Sequence, residues 1–213
     1  MSEIKRLFLD LDGPLLDGKE RHYHCYGTIL EGFGYEPIEI ETYWAAKRGG
    51  LNRRELLKMS GAESIYDEFY AAWMSMIESP EALSFDRIQS GAIECLLKWK
   101  QQGIVLTLVT LRNNKQALEQ QLELVGLRPF LDTVLVCDHA KGGEGKAEAV
   151  LDLFESELLT NNSLWIGDTE ADWRAATILG MNVVLVTNGL RDPSYLSAMK
   201  GALIVPSINS CGV

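Results

Sequence analysis

The sequence predicts an α/β fold: a parallel sheet covered by helices on both faces, with an all-helical segment inserted after the first strand. Three observations carry this reading. Short apolar and β-branched runs bounded by polar turns recur along the chain and read as buried strands. Segments with helical spacing of apolar residues lie between them, and alternating strands and helices imply parallel pairing through crossovers. The rhythm breaks from about Gly18 to Asp86, where no run reads as a buried strand.

In chain order, Leu7–Leu9 is the first strand and ends at Asp10. Helical patterns follow over Glu20–Gly32, Thr42–Lys47, Arg53–Met59 and Ser64–Ile77. Ile65, Phe69, Trp73 and Ile77 fall at four-residue steps, a stripe that reads as core. Ala92–Gln102 carries Ile93, Leu96 and Leu97 and stops at Gly103, a good residue for the left-handed turn after a helix. The strand Ile104–Val109 leads to a helix over Lys115–Val125, which carries Leu118, Leu122 and Val125 and stops at Gly126. Strand Thr133–Val136, helix Lys146–Leu158, strand Ser163–Ile166, helix Glu170–Leu179 and strand Val183–Val186 complete the alternation. The tail Ser207–Val213 is expected to be loosely held.

The 213 residues suffice for one core and a small inserted domain. A formal charge of −10 argues against a nucleic-acid partner and requires a local cation wherever an anion binds. Cys25, Cys95, Cys137 and Cys211 have no metal-ligand spacing and read as free thiols of a reducing compartment. The N-terminus MSEIKRLFLD lacks the apolar stretch of a signal peptide, and no apolar run approaches transmembrane length. The expectation is a cytoplasmic protein without a membrane partner, monomeric or dimeric.

Four polar signals sit where α/β sheets place their chemistry, at the C-terminal ends of strands. They are Asp10-Leu11-Asp12-Gly13, Thr110, Lys146 and Gly167-Asp168-Thr169-Glu170-Ala171-Asp172. Each alone reads as a turn, a strand-end threonine, a solvated lysine or a helix cap. Their joint occurrence, in this order, points to a site. Two carboxylates as close as Asp10 and Asp12 repel each other unless a cation joins them.

On these motifs the chain resembles the haloacid dehalogenase superfamily of phosphohydrolases. The likeness is to the branch with a helical cap after the first motif, which includes phosphoglycolate phosphatase-like enzymes and β-phosphoglucomutase. Ala175-Ala176, Gly180, VVLVTNG and the spacing from Asp138 to Lys146 also look like that family. The resemblance implies a three-layer α/β/α, Rossmann-like core over residues 1–16 and 87–213, with the first strand central, and a helical cap over 17–86. It implies Mg²⁺ held by Asp10, the backbone carbonyl of Asp12 and Asp168, helped by Asp172. It implies that Asp10 is the nucleophile that forms an aspartyl-phosphate and that Asp12 is the general acid and base. Thr110, the backbone N–H at Leu111 and Lys146 would bind the phosphate. The dehalogenase and phosphonatase branches lack an Asp at position 12, so its presence argues for phosphate esters. The expected activity is an Mg²⁺-dependent phosphatase acting on a small phosphorylated metabolite. A sugar-phosphate mutase and an idle binding protein are the alternatives.

The chain departs from the family at several points. Pro14 stands where relatives have Thr or Val and would stiffen the turn. Ala147 replaces a Pro, and Lys141 competes with Lys146 for the third motif. Arg112 is expected on the surface rather than against a substrate anion. In the insertion, His22 lies at the spacing of a mutase histidine, and Arg53, in GLNRREL, matches an arginine that grips a far phosphate. The same residues also read blandly, His22 as a partly exposed helix histidine and Arg53, with Lys47, Arg48 and Arg54, as a solvated basic face.

Overall fold

A computed structural model describes residues 4–154 and 162–213. The chain divides into two compact units, Met1–Asp17 with Ile88–Val213, and Gly18–Arg87.

The first unit begins with β1 (Arg6–Leu9) and the short β2 (Leu16–Asp17). The second unit carries α1 (Lys19–Gly32), α2 (Ile40–Arg48), α3 (Arg53–Met59), α4 (Tyr66–Met76) and α5 (Pro80–Leu83). After β3 (Arg87–Ile88) the first unit resumes with α6 (Ala92–Gln101), β4 (Val105–Thr110), α7 (Lys115–Leu124), β5 (Thr133–Val136) and α8 (Gly142–Leu151). It ends with β6 (Ser163–Gly167), α9 (Glu170–Ile178), β7 (Asn182–Val186), α10 (Pro193–Leu196) and β8 (Leu203–Val205).

The sheet runs β5-β4-β1-β6-β7-β8, every neighbouring pair parallel, with the first strand inside it. Side chains alternate across a strand, and β1 shows what this does. Leu7 and Leu9 enter a cluster with Leu96, Trp99, Leu118 and Leu122 from α6 and α7. Phe8 points the other way, to Ala147, Val150, Ala175 and Ala176 of α8 and α9. It stacks on Trp165, with ring centroids 5.7 Å apart. A strand buried on both faces must be apolar throughout, which is why β1 reads as an unbroken run.

Three expectations change. The helix expected to open at Lys146 opens at Gly142, so Lys146 sits in its second turn; the continuation expected over 155–158 lies outside the described residues. β8 was not foreseen. The tail is not loose: Ile208 and Cys211 are buried in the core, and Asn209 donates to the Ser90 carbonyl at 3.0 Å.

The helical unit has its own core of Cys25, Tyr26, Tyr43, Leu57, Phe69 and Trp73. Of the expected stripe, Phe69 and Trp73 are buried, while Ile65 and Ile77 pack at its margin. Asn52 and Glu55 form a reciprocal capping box on α3. Arg21 and Asp86, near the two ends of the unit, make a buried ion pair at 3.0 Å. Among the described residues, no helix is long and apolar enough to cross a membrane. All four cysteines are free.

Candidate active site

Parallel register decides which residues meet. Leu9 is level with Leu108 on one side and Ile166 on the other, so the residues just beyond Leu9, Leu108 and Ile166 emerge together at one edge of the sheet. They include Asp10, Thr110 and Asp168. The Asp10 N–H closes the ladder on the Ile166 carbonyl at 2.9 Å. The chain then turns, with the N–H groups of Leu15 and Leu16 on the Leu11 carbonyl. Gly13 in this turn has φ of +102°, and a Cβ there would overlap the Asp168 carboxylate. Glycine is needed twice, for its backbone and for its lack of a side chain. Pro14 lies inside the turn, where its missing N–H costs no ladder bond.

Lys146 is the centre of charge. Its side chain is 1 % exposed, and its Nζ lies 3.0 Å from Asp10 Oδ1 and 2.7 Å from Asp172 Oδ1. Burial disfavours the ammonium, but the two carboxylates outweigh it and hold its pKa above the ordinary lysine value. The rival Lys141 is half-exposed and pairs with Glu148 at 2.6 Å.

Asp172 is held mainly by donors. Besides Lys146 it accepts from Trp165 Nε1 (3.1 Å), from the N–H groups of Asp168 (3.2 Å) and Thr169 (3.1 Å), and from Thr169 Oγ1 (2.7 Å). Burial would raise its pKa, yet Lys146 and these hydrogen bonds keep it below the ordinary carboxylate value. Asp10 lacks such a cradle. Burial pushes it up to about 7; Lys146 opposes the rise, and Asp172 and Asp12 add to it.

Asp168 is fully buried and pushed well above its ordinary value, first by burial and then by Asp10 and Asp172. Its Oδ2 accepts the Leu190 N–H at 2.5 Å, while its Oδ1 is buried with no hydrogen-bond partner. An orphaned buried carboxylate oxygen is costly, and a cation beside it would remove that cost. Asp10, Asp168 and Asp172 each offer an oxygen within 4.8 Å of the others. An all-oxygen set suits a hard divalent ion. Because Asp172 already receives five donor contacts, Asp10 and Asp168 have the greater capacity to bind one. A Cβ at Gly189 would overlap Asp168 Oδ2. Gly189→Ala should therefore displace that carboxylate and weaken divalent-ion binding by roughly 10-fold or more, the scale set by disturbing ligand support. Isothermal calorimetry with Mg²⁺ checks this, and unchanged affinity would refute it.

Arg112 is a correction. It is not a surface residue: it is 5 % exposed and grips Asp12 with two hydrogen bonds, Nε to Oδ2 at 2.7 Å and Nη2 to Oδ1 at 2.8 Å. Thr110 is buried at the end of β4, with Leu111 half-buried beside it. Sequence reasoning also missed Trp165, Thr169 and the Leu190 N–H as supports of the acidic residues. TNG after β7 was a local signal for the Leu190 N–H, and Thr169 lies within the quoted acidic motif; the Trp165 bond to Asp172 left none.

In the helical unit, His22 is half-buried against Trp44 and Trp73, with ring centroids 6.0 and 5.5 Å away. Arg53 lies over Tyr70 and Trp73, Lys47 over Tyr43 and Trp73, and Arg54 over Tyr66. These cations are packed on aromatic rings, which a merely solvated basic face does not describe.

The profile of a family described as haloacid dehalogenase-like hydrolase matches residues 7–186. A phosphoglycolate phosphatase of Rhodobacter capsulatus is 26% identical over 190 residues, covering 87% of this chain and 85% of that protein. Among solved structures, a haloacid dehalogenase-like family hydrolase of Streptococcus pneumoniae superposes with a TM-score of 0.75 at 16% identity, over 96% of this chain and 95% of the other. A subfamily IA hydrolase of the same superfamily, from Geobacter sulfurreducens, gives 0.70 at 19% identity, over 97% and 95%.

Proposed function

The chain belongs to the haloacid dehalogenase-like hydrolases, and from that premise we propose that it is an Mg²⁺-dependent phosphatase that hydrolyses a small phosphate monoester through a phosphorylated Asp10. One observation carries the reading: a buried lysine bridges the strand-end carboxylate of Asp10 and the heavily hydrogen-bonded Asp172.

A phosphate dianion entering an acidic protein needs positive charge at the site. Lys146 supplies it beside Asp10, and Thr110 with the Leu111 N–H adds donors for the equatorial oxygens. Asp10 Oδ attacks phosphorus while the bond from phosphorus to the leaving oxygen breaks. Asp12 gives that oxygen its proton, and the alcohol departs. Asp12 then takes a proton from water as the water oxygen attacks the phosphoryl group, which releases inorganic phosphate and restores Asp10. A divalent ion held by Asp10, the Asp12 carbonyl and Asp168 would neutralise the phosphoryl oxygens. We assign Asp172 to positioning Lys146, since its oxygens already receive five donor contacts. We assign the helical unit the selectivity role of a cap, with His22 and Arg53 as its candidate substrate contacts.

The test is release of phosphate from p-nitrophenyl phosphate with Mg²⁺ and with EDTA. Turnover that needs the ion, together with a hydroxylamine-labile label on the protein, is the expected result. Turnover unaffected by EDTA would overturn the metal assignment, and absence of any labelled protein under rapid quench would overturn the covalent step.

A further inference from the structure

We propose that Arg191 is a positioning residue for the divalent-ion site: by clamping Glu170 it holds the Leu190 N–H against Asp168, which leaves the other Asp168 oxygen for the ion. This deepens, and rests on, the ion assignment within the phosphatase reading.

At the end of β7 the Thr187 N–H donates to the Val205 carbonyl at 2.9 Å. The chain then leaves the sheet, and three consecutive residues meet the acidic motif. Gly189 lies against Asp168, where a Cβ would overlap Oδ2. The Leu190 N–H donates to that same Oδ2. Arg191 donates two hydrogen bonds to Glu170, Nε to Oε2 at 2.8 Å and Nη2 to Oε1 at 2.6 Å. Glu170 opens α9, two residues after Asp168. The loop and the start of the helix are thus joined at Leu190 and again at Arg191.

What the second joint adds is direction. An ion pair near the surface stabilises little. A two-pronged guanidinium–carboxylate pair fixes the orientation of both partners, which the point charge of a lysine does not. Arg191 is the more enclosed partner, its side chain 15 % exposed against 42 % for Glu170, and its guanidinium lies 4.8 Å from the centroid of the Tyr195 ring on α10. The guanidinium is therefore held between α9 and α10. Leu190 is only half-buried, so its own side chain does not pin its N–H. The N–H is held by its neighbours, Gly189 packed on Asp168 and Arg191 tied to Glu170. With Oδ2 occupied, Asp168 presents Oδ1, the buried oxygen without a hydrogen-bond partner.

The experiment is calorimetry of Mg²⁺ binding, without substrate, on the wild type, Arg191→Gln, Arg191→Lys, Glu170→Gln and the double variant Arg191→Gln/Glu170→Gln. Thermal melting verifies that each is folded at the working temperature. Arg191→Gln should weaken binding roughly 10-fold, the scale for losing a group that orients a metal ligand. Removal of a positive charge alone would strengthen binding, so the sign separates positioning from charge. Arg191→Lys, which keeps the charge but not the fork, should recover only a minor part of the loss, and it decides the matter where Arg191→Gln melts too early to measure. The double variant should bind like Arg191→Gln, because both changes break one clamp. Arg174→Gln, which breaks the exposed Arg174–Glu144 pair on the same helix, should bind like the wild type. Unchanged or tighter binding in Arg191→Gln, full recovery by lysine, additive losses in the double variant, or an equal loss in Arg174→Gln overturns the assignment. A wild type that binds no Mg²⁺ would sink the ion assignment and this one with it. Binding that depends on the clamp, in a protein that releases no phosphate from p-nitrophenyl phosphate, would count against the phosphatase reading alone.

Discussion

Replacing Lys146 by methionine should cost roughly 3–5 kcal/mol of stability at pH 8 in EDTA, the range found when one partner of a buried ion pair is removed. The methionine fills much of the same volume, so the loss is electrostatic rather than a cavity. The ammonium is 1 % exposed and holds two carboxylates within 3.0 Å. Without it, Asp10 and Asp172 face each other in a buried site. The cost should shrink at pH 5. Asp10 is already pushed up to about 7 with Lys146 in place, and loss of the cation raises it further, so at pH 5 it is neutral and needs no partner. Asp172 keeps Trp165 and Thr169 and does not give the same relief. Turnover should fall by roughly 10³-fold or more, since the cation beside the attacking carboxylate is gone. Urea unfolding at the two pH values, with a phosphate-release assay, checks both parts. A loss under about 1 kcal/mol at pH 8, or an equal loss at both pH values, would show that the lysine is not what balances these carboxylates.

Lys146 also marks what sequence can and cannot convey. The sheet was legible because a strand covered on both faces must be apolar throughout, and Leu7, Phe8 and Leu9 are. The strand-end acids were legible because carboxylates closely following such a run are hard to explain by packing. β8 was not, because it is three residues long, lies at the sheet edge and leaves Leu203 exposed, so neither length nor burial marks it. The tail failed for a different reason. What fixes it is Asn209 on Ser90, a contact across 119 positions with no local signature. Arg112 failed in the same way. A charge just after a strand is ordinarily solvated, and only the fold reveals that Asp12, 100 positions earlier, takes up its side chain. Local periodicity reports which face is buried; it does not report which distant polar group is waiting there.

Asp10→Asn should lose turnover by roughly 10⁴-fold or more, the scale of removing a covalent nucleophile, and yet gain stability when no ion is present. The gain follows from the sign of the proton linkage. A carboxyl raised above its ordinary value binds a proton in the folded chain that the unfolded chain has already released, here between about pH 4 and about 7. Stability of the metal-free wild type should therefore fall as pH rises through that window. Asp168, raised in the same direction, adds to the slope, whereas Asp172, held below its ordinary value, has its window at lower pH. Asparagine removes the Asp10 part of the slope, so the variant in EDTA at pH 8 should melt about 3 °C or more above the wild type, and the difference should shrink at pH 5. Mg²⁺ should reverse the order, because the ion binds the folded site and is held better by the carboxylate than by the amide. Melting curves at the two pH values, with and without Mg²⁺, make the comparison. A variant less stable than the wild type in EDTA at pH 8 would mean that Lys146 compensates the Asp10 charge completely. Retained turnover would remove Asp10 from the chemistry. The expected pair of results, activity lost and metal-free stability gained, would identify Asp10 as a residue kept for its reaction at the expense of the fold that buries it.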